Sequence, residues 1–206
     1  MSRVVIVNYG MGNIGSVANA FERLGARCLV SDDPKVLDLA RGIVLPRVGA
    51  FHAAVENIRS RGLDDALSEQ VLHRKKPFLG ICLGMQLVAK DSVELGYALG
   101  LGWIDGHVLR LEPKPTRPVP HVGWNEVRHH SDLLFERVQE GAHFFFDHSY
   151  TLQCGPELIT ATCDYGGEWV ASIRKDNILA VQFHPEKSQR NGLRLLRNFL
   201  NFIDAD

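Results

Sequence analysis

Three segments of the chain carry residue types and spacings that could do chemistry. Gly80-Ile81-Cys82-Leu83-Gly84 closes an apolar run and opens a helical one. Its cysteine would therefore sit on a sharp strand-to-helix turn, between glycines that leave room for strained backbone and for substrate, as in a nucleophile elbow. A free thiol titrates near pH ~8.5 and is only a few per cent ionised at neutrality. The dipole and free N–H groups of a helix N-terminus favour the thiolate. A cysteine filling a buried core strand is the ordinary alternative, and the flanking glycines weigh against it.

A cysteine nucleophile needs a base, and the base needs an orienting acid. Val181-Gln182-Phe183-His184-Pro185-Glu186 supplies both. Proline biases His184 to extended backbone, and residues two apart in an extended segment point the same way, so Glu186 can reach the imidazole. The third segment is Gly10-Met11-Gly12-Asn13-Ile14-Gly15, a literal G-x-G-x-x-G with Asp32 near the end of the next strand. It matches the dinucleotide-binding fingerprint, with Gly10, Gly12, Gly15 and Asp32 as its parts. It equally describes a plain tight turn between strand and helix. His129-His130, His52, His73, His107, His121, His143 and His148 show no ligand spacing, and no metal is assigned.

The elements that must position these groups alternate. Val4–Val7, Cys28–Val30, Gly42–Leu45 and Pro77–Ile81 read as buried strands. Helical spacing runs from Ile14 to Leu24 and from Leu63 to Arg74, and Asp33-Pro34 is a helix start. Such β/α alternation predicts parallel strands covered by helices on both faces. After about Leu99 the texture becomes strand-rich: Trp103–Leu111, His121–Arg128, Phe144–Leu152, Leu158–Cys163, Trp169–Arg174 and Leu179–Phe183, with turns at Gly166-Gly167 and Asp176-Asn177. Leu193, Leu196, Leu200 and Ile203 share one face of a last helix. The proline-rich stretch 112–120 reads as a stiff surface loop. The expected fold is α/β, a mixed, mostly parallel central sheet flanked by helices, with a strand-rich C-terminal half.

With 206 residues the chain reads as one domain, 1–206, large enough to bury roughly 70% of its unfolded surface. A composition of 45% hydrophobic and 23% charged residues excludes disorder and fibrous repeats. Lys+Arg 23 against Asp+Glu 24 leaves a net charge of -1, which supplies no phosphate-neutralising excess for nucleic acid. No apolar run reaches the ~18–20 residues of a membrane span, and no signal-peptide core follows Met1. Cys28, Cys82, Cys154 and Cys163 form no Cys-x-x-Cys pair and no disulfide framework. A reducing, cytoplasmic setting is expected.

Gly-Ile-Cys-Leu-Gly-Met-Gln at 80–86 together with Gln-Phe-His-Pro-Glu-Lys-Ser at 182–188 resembles the class I, or triad, glutamine amidotransferases. The resemblance spans essentially the whole chain. Asn8-Tyr9-Gly10-Met11-Gly12-Asn13, Pro120-His121-Val122-Gly123-Trp124-Asn125 and His148-Ser149-Tyr150 are similar to one branch, the glutaminase subunits of imidazole glycerol phosphate synthases. It implies a flavodoxin-like three-layer fold and a mechanism with no cofactor. Cys82 would attack the glutamine carboxamide, His184 would move protons, Glu186 would orient the ring, and Gln86, Ser149 and Tyr150 would hold the substrate. Val48, Gly49 and Leu83 would form the oxyanion loop. Ammonia would pass to a (β/α)₈-barrel cyclase across a junction with Asn13, Trp124 and Lys187, and the Gly-Met-Gly-Asn loop would belong to that docking end.

The chain departs from the family pattern where Pro-Gly-Val-Gly is usual and Pro46-Arg47-Val48-Gly49 stands, and at Phe145 and Asp147, where tyrosine and valine are more usual. An oxyanion donor is worth ~3 kcal/mol in the transition state, and a non-glycine at a position that must flip hinders its formation. Three other readings stay open on sequence alone: a paralogue that supplies ammonia to amidate a surface-polysaccharide sugar precursor, a dinucleotide-binding module, and an inactive regulatory subunit, for which Arg47 is the only motive.

Overall fold

The computed structural model describes residues 3–10, 14–47, 49–114 and 117–205, for Arg47 the backbone alone. In chain order the strands and helices are β1 (Arg3–Val7), α1 (Ile14–Arg23), β2 (Arg27–Ser31), β3 (Gly42–Arg47), α2 (Phe51–Ser60), α3 (Leu63–Ser68), β4 (Phe78–Cys82), α4 (Leu83–Leu87), β5 (Ala89–Ser92), β6 (Ala98–Leu99), β7 (Ile104–Arg110), β8 (His121–His129), β9 (His143–His148), β10 (Tyr150–Cys154), β11 (Ile159–Asp164), β12 (Glu168–Lys175), β13 (Ile178–Val181) and α5 (Gln189–Ala205). The large sheet runs β2-β1-β3-β4-β13-β12-β11-β8-β9, and a smaller one runs β10-β7-β5-β6.

Strands β2, β1, β3, β4 and β13 pair parallel. This is the doubly wound part, whose short apolar runs, buried almost throughout in β1, β3, β4 and β13 and only partly in the edge strand β2, need cover on both faces. Beyond β13 the sheet continues antiparallel. One face is covered by α1 and α5, where Phe21 and Phe199 meet edge to face at 6.2 Å and Phe144, Phe146 and Phe183 join the same core. The other face is covered by α2, α3, α4 and the small sheet, around Phe51, Phe78 and Trp103.

Several expectations need correction. Phe144–Leu152 is not one strand: the chain leaves the large sheet after His148 and enters the small sheet at Tyr150, with Ser149 at the seam. The helix read from Leu63 to Arg74 is regular only to Ser68 and continues as one wider turn, Glu69–His73. Asp33-Pro34 does start a helical segment, a 3₁₀ turn over Pro34–Leu39, with the Asp33 carboxylate accepting from the Lys35 N–H at 2.9 Å. Helix α2 and strands β5 and β6 were not anticipated. The proline-rich stretch is a mostly exposed loop as expected, with one buried anchor: Arg117 lies over the Trp169 ring at 5.0 Å and donates to the Glu112 carbonyl.

Helix α5 seats directly on the segment after β13. A Cβ at Gly192 would collide with the Pro185 carbonyl, which is backbone and has nowhere to go. Gly15 in α1 is the opposite case, since a Cβ there would meet nothing within 4 Å. Gly192→Ala is therefore expected to cost about 3 kcal/mol by overpacking. Gly15→Ala should stabilise by up to ~1 kcal/mol through helix propensity. Urea unfolding midpoints of the two variants check both signs.

Candidate active site

The parallel register brings the chemistry together. Ile81 of β4 lies opposite Val181 of β13, and on the other flank Cys82 lies opposite Arg47 of β3. The carboxyl ends of three adjacent strands therefore present Cys82, the segment 182–186 and the loop after Arg47 at one point, where open α/β sheets place their sites. Gln182 and His184 share a side of the extended segment, while Phe183 between them is buried and packs on Phe144 with ring centres 4.2 Å apart.

Cys82 has φ 54 and ψ -109, a conformation an L-residue rarely adopts. The glycines on either side explain how it is held. A Cβ at Gly80 would lie 2.7 Å from the Gly84 carbonyl oxygen, and one at Gly84 would collide with the Leu45 carbonyl of β3. This is the close backbone approach of a nucleophile elbow, and it separates the two glycine-rich turns. The third glycine of a dinucleotide fingerprint exists to let helix and strand pack closely, whereas the space around Gly15 is open. Gly12 and Asn13 lie outside the described residues, and Asp32 is exposed.

Glu186 reaches His184 as expected, with Oε1 2.8 Å from Nδ1 and both side chains almost fully buried. The route is different: His184 is extended, but Pro185–Lys187 forms a 3₁₀ turn that swings the carboxylate back to the ring. Burial disfavours the imidazolium, yet the Cys82 sulfur and the Glu186 carboxylate outweigh it and push His184 up to about 10. The ring's Nε2 is buried without a hydrogen-bond partner of ordinary length, leaving the Cys82 sulfur as the group it serves. The His184 N–H donates to the Phe145 carbonyl at 2.8 Å. The Ser188 hydroxyl donates to the His184 carbonyl at 2.6 Å and accepts from the Phe145 N–H at 3.0 Å. Strand β9 thus fixes the base from outside. Burial pushes the thiols of Cys28 and Cys154 up to about 11 and that of Cys163 up to about 12.

A cavity of about 270 Å³ opens beside Cys82 and is lined by Gly49, Leu83, Gln86, Glu94, Pro120, Asp147, His148, Ser149 and Tyr150. Gln86, Ser149, Tyr150, Gly49 and Leu83 were expected there, and Val48 lies outside the described residues. Glu94 was missed, because a lone glutamate in a loop has no periodicity to betray it. Its carboxylate accepts from the Phe51 N–H at 2.7 Å, and burial raises its pKa against that bond and the nearby His52 charge.

The second omission is a histidine pair. The Tyr150 carbonyl can only accept, so His148 Nδ1, 2.8 Å away, carries the proton, and His148 Nε2 must accept from His121 Nδ1 at 3.1 Å. His121 is stacked between Phe146 at 4.7 Å and Tyr165 at 3.8 Å. Among the described residues no group of three or more His, Cys, Asp or Glu could hold a metal ion. Trp124, 47% exposed, rests edge to face on Phe145 at 6.0 Å. Lys187 Nζ lies 5.3 Å over the same ring and 3.8 Å from the Asp147 carboxylate.

The glutamine amidotransferase class-I sequence family matches residues 5–202. The chain belongs to that family. It is 45% identical over 197 residues to imidazole glycerol phosphate synthase subunit HisH 1 of Campylobacter jejuni strain 81-176, covering 95% of this chain and 98% of that one. It is 46% identical over 207 residues to subunit HisH of Geobacter sulfurreducens, covering 97% and 98%. Among solved structures, a glutamine amidotransferase superposes with a TM-score of 0.77 at 21% identity over 97% and 98% of the two chains. Another glutamine amidotransferase, from Thermotoga maritima, gives 0.73 at 18% identity over 100% and 99%. These two show the shared fold, which in this chain is a mixed, largely parallel sheet flanked by helices with further strands in the C-terminal half.

In this amidotransferase the histidine pair also makes a prediction about acid. Burial pushes both rings down to about 4. The neighbouring ring lowers His121 further, and for His148 the Tyr150 bond and Asp147 charge oppose while the His184 charge reinforces. Below its ordinary value near 6.5 the unfolded chain takes up protons that the folded rings refuse until about pH 4. The pair's contribution to stability should therefore be full above pH 6.5 and fall as pH drops from there to about 4, by a few kcal/mol in all. Urea melts across that range should show the slope, and His121→Gln should flatten it.

Proposed function

We propose that the chain is the glutaminase subunit of an imidazole glycerol phosphate synthase, working in the cytoplasm on glutamine and delivering ammonia to a (β/α)₈-barrel cyclase bound as a heterodimer. The observation that carries this reading is the convergence of Cys82, on its strained turn, with a His184 already hydrogen-bonded to Glu186 at 2.8 Å. The extent and level of identity to the relatives named above support the choice of pathway.

In the proposed reaction the Cys82 sulfur adds to the carboxamide carbon of glutamine and the oxygen takes up the negative charge. Backbone N–H groups at Gly49, Val48 and Leu83 stabilise that charge. His184 passes its proton to the leaving nitrogen, the C–N bond breaks, and ammonia departs from a thioester. Water then attacks the thioester carbon, His184 takes its proton, and glutamate leaves as the thiolate is restored. Gln86, Ser149 and Tyr150 wall the substrate, and the Glu94 carboxylate faces the α-ammonium. Trp124 and Lys187, which both pack on Phe145 of the strand that holds the base, mark the face toward the barrel, with Asn13 assigned to the same junction by the family resemblance alone.

Arg47 sets how the oxyanion loop responds. Its backbone is extended at the end of β3, paired opposite Cys82, and a flip of the next peptide is less accessible to arginine than to glycine. Glutamate release is expected to be low for the isolated chain and to rise with the barrel partner and its nucleotide substrate. Cys82→Ala should abolish release under both conditions, and release that survives it would sink the nucleophile assignment. Arg47→Gly should raise basal release roughly tenfold or more. Glu94→Gln, which keeps an acceptor for the Phe51 N–H but removes the charge, should raise KM for glutamine about tenfold with a smaller effect on kcat.

A further inference from the structure

The buried side of the active site contains a hydrogen-bond relay whose direction is fixed by one backbone atom. Gln86 Nε2 lies 2.9 Å from the Tyr150 carbonyl oxygen, which can only accept. The same Nε2 lies 3.1 Å from Gln182 Oε1, so both of its N–H groups are donated to protein acceptors. With its oxygen engaged, Gln182 must turn its own NH₂ toward Cys82, and Nε2 lies 3.7 Å from Sγ. Gln182 is completely buried, and its place follows from register, because Val181 lies opposite Ile81 and the next residue falls beside Cys82.

The sulfur thus has one partner suited to each protonation state. The Asp147 carbonyl oxygen, 3.8 Å from Sγ, can accept a hydrogen bond from the thiol S–H. Once the proton has gone, that carbonyl offers nothing, whereas an amide N–H donates to the anion. Hydrogen bonds to charged acceptors are roughly twice as strong as neutral ones.

We propose that Gln182 is a catalytic residue of the amidotransferase, an amide donor that stabilises the Cys82 thiolate as it forms and again as it leaves the thioester. The role rests on Cys82 being the nucleophile. It makes Gln86 a positioning residue for Gln182, meeting glutamine through its oxygen alone. A neutral donor suits this place. It adds no charge to compete with the His184 imidazolium, so the sulfur is stabilised without weakening the ion pair that activates it. The titratable groups around the sulfur and its cavity are His184, with Glu186 behind it, from the segment after β13; Asp147 and His148 from β9; Tyr150 from β10; and Glu94 from the loop after β5. Gln182, which does not titrate, is the side-chain amide that donates to the sulfur.

The test is the pH dependence of Cys82 alkylation by iodoacetamide in the full chain, read by mass spectrometry on the Cys82 peptide. Gln182→Leu should move the alkylation midpoint up by about one pH unit, a tenfold loss of thiolate at fixed pH. The isosteric Gln182→Glu should move it further, by placing a carboxylate oxygen against the sulfur. Glutamate release with the barrel partner should fall by at least the same factor. An unchanged midpoint in both variants would overturn the proposal while leaving the nucleophile assignment intact, because that assignment is judged separately by Cys82→Ala. A second readout needs no Gln182 variant: the side-chain amide resonance of Gln182 in ¹⁵N spectra should shift with the same midpoint as Cys82 alkylation. A resonance that ignores it overturns the proposal even if the variants fail to fold.

Discussion

The structure depends on the contact between the first turn of α4 and the carbonyl of Leu45. Glycine at 84 lets the helix backbone reach β3 where a side chain would collide. That approach bends the chain between β4 and α4 sharply enough to hold Cys82 at φ 54. A conformation of this kind costs of order 1–3 kcal/mol and persists only where its surroundings over-determine it. Here they do so thoroughly. Strand β4 is buried along its whole length between β3 and β13, and α4 is buried at every residue. The sheet's size and its two apolar faces are what make the strained turn affordable.

Around that turn the polar groups are arranged with little redundancy. The Tyr150 carbonyl accepts from both Gln86 and His148, so one backbone oxygen at the seam of the two sheets organises the buried side of the cavity. On the open side, β9 holds the base through the Phe145 backbone while carrying Lys187 over its ring on the outer surface. The histidine pair is held below the usual imidazole range because burial outweighs the Tyr150 bond and the Asp147 charge that favour the proton on His148. The triad histidine, buried as well, has the Cys82 sulfur and the Glu186 carboxylate within reach and is shifted in the opposite direction. Burial alone does not set the charge of an imidazole; the partners within reach decide it.

The sequence made the parallel half of the fold legible because fully buried strands leave short β-branched runs such as Val4–Val7 that few other structures produce. The nucleophile and its base were legible for a related reason, since both sit at strand ends marked by glycine or proline. What stayed hidden depends on contacts between distant segments. Ser149 lies inside a stretch that reads as one strand, with no glycine or proline beside it, so its passage between sheets left no local mark. Strand β5, with Lys90, Asp91 and Ser92, is too short and polar to read as a strand. Glu94, His121 and Gln182 owe their environments to neighbours far along the chain, and spacing carries no trace of those. Helix α2 is different: Phe51, Ala54, Val55 and Ile58 recur at helical spacing and bury that face, so the signal was present and unread.

The order of the strands also has a consequence for biosynthesis. Cys82 ends a strand whose neighbour β13 arrives only with Gln182, 100 residues later, and the turn carrying His184 is seated by α5, which is made after both. A growing chain therefore exposes its thiol on an incomplete sheet, with neither base nor amide beside it, until synthesis has passed through the last helix.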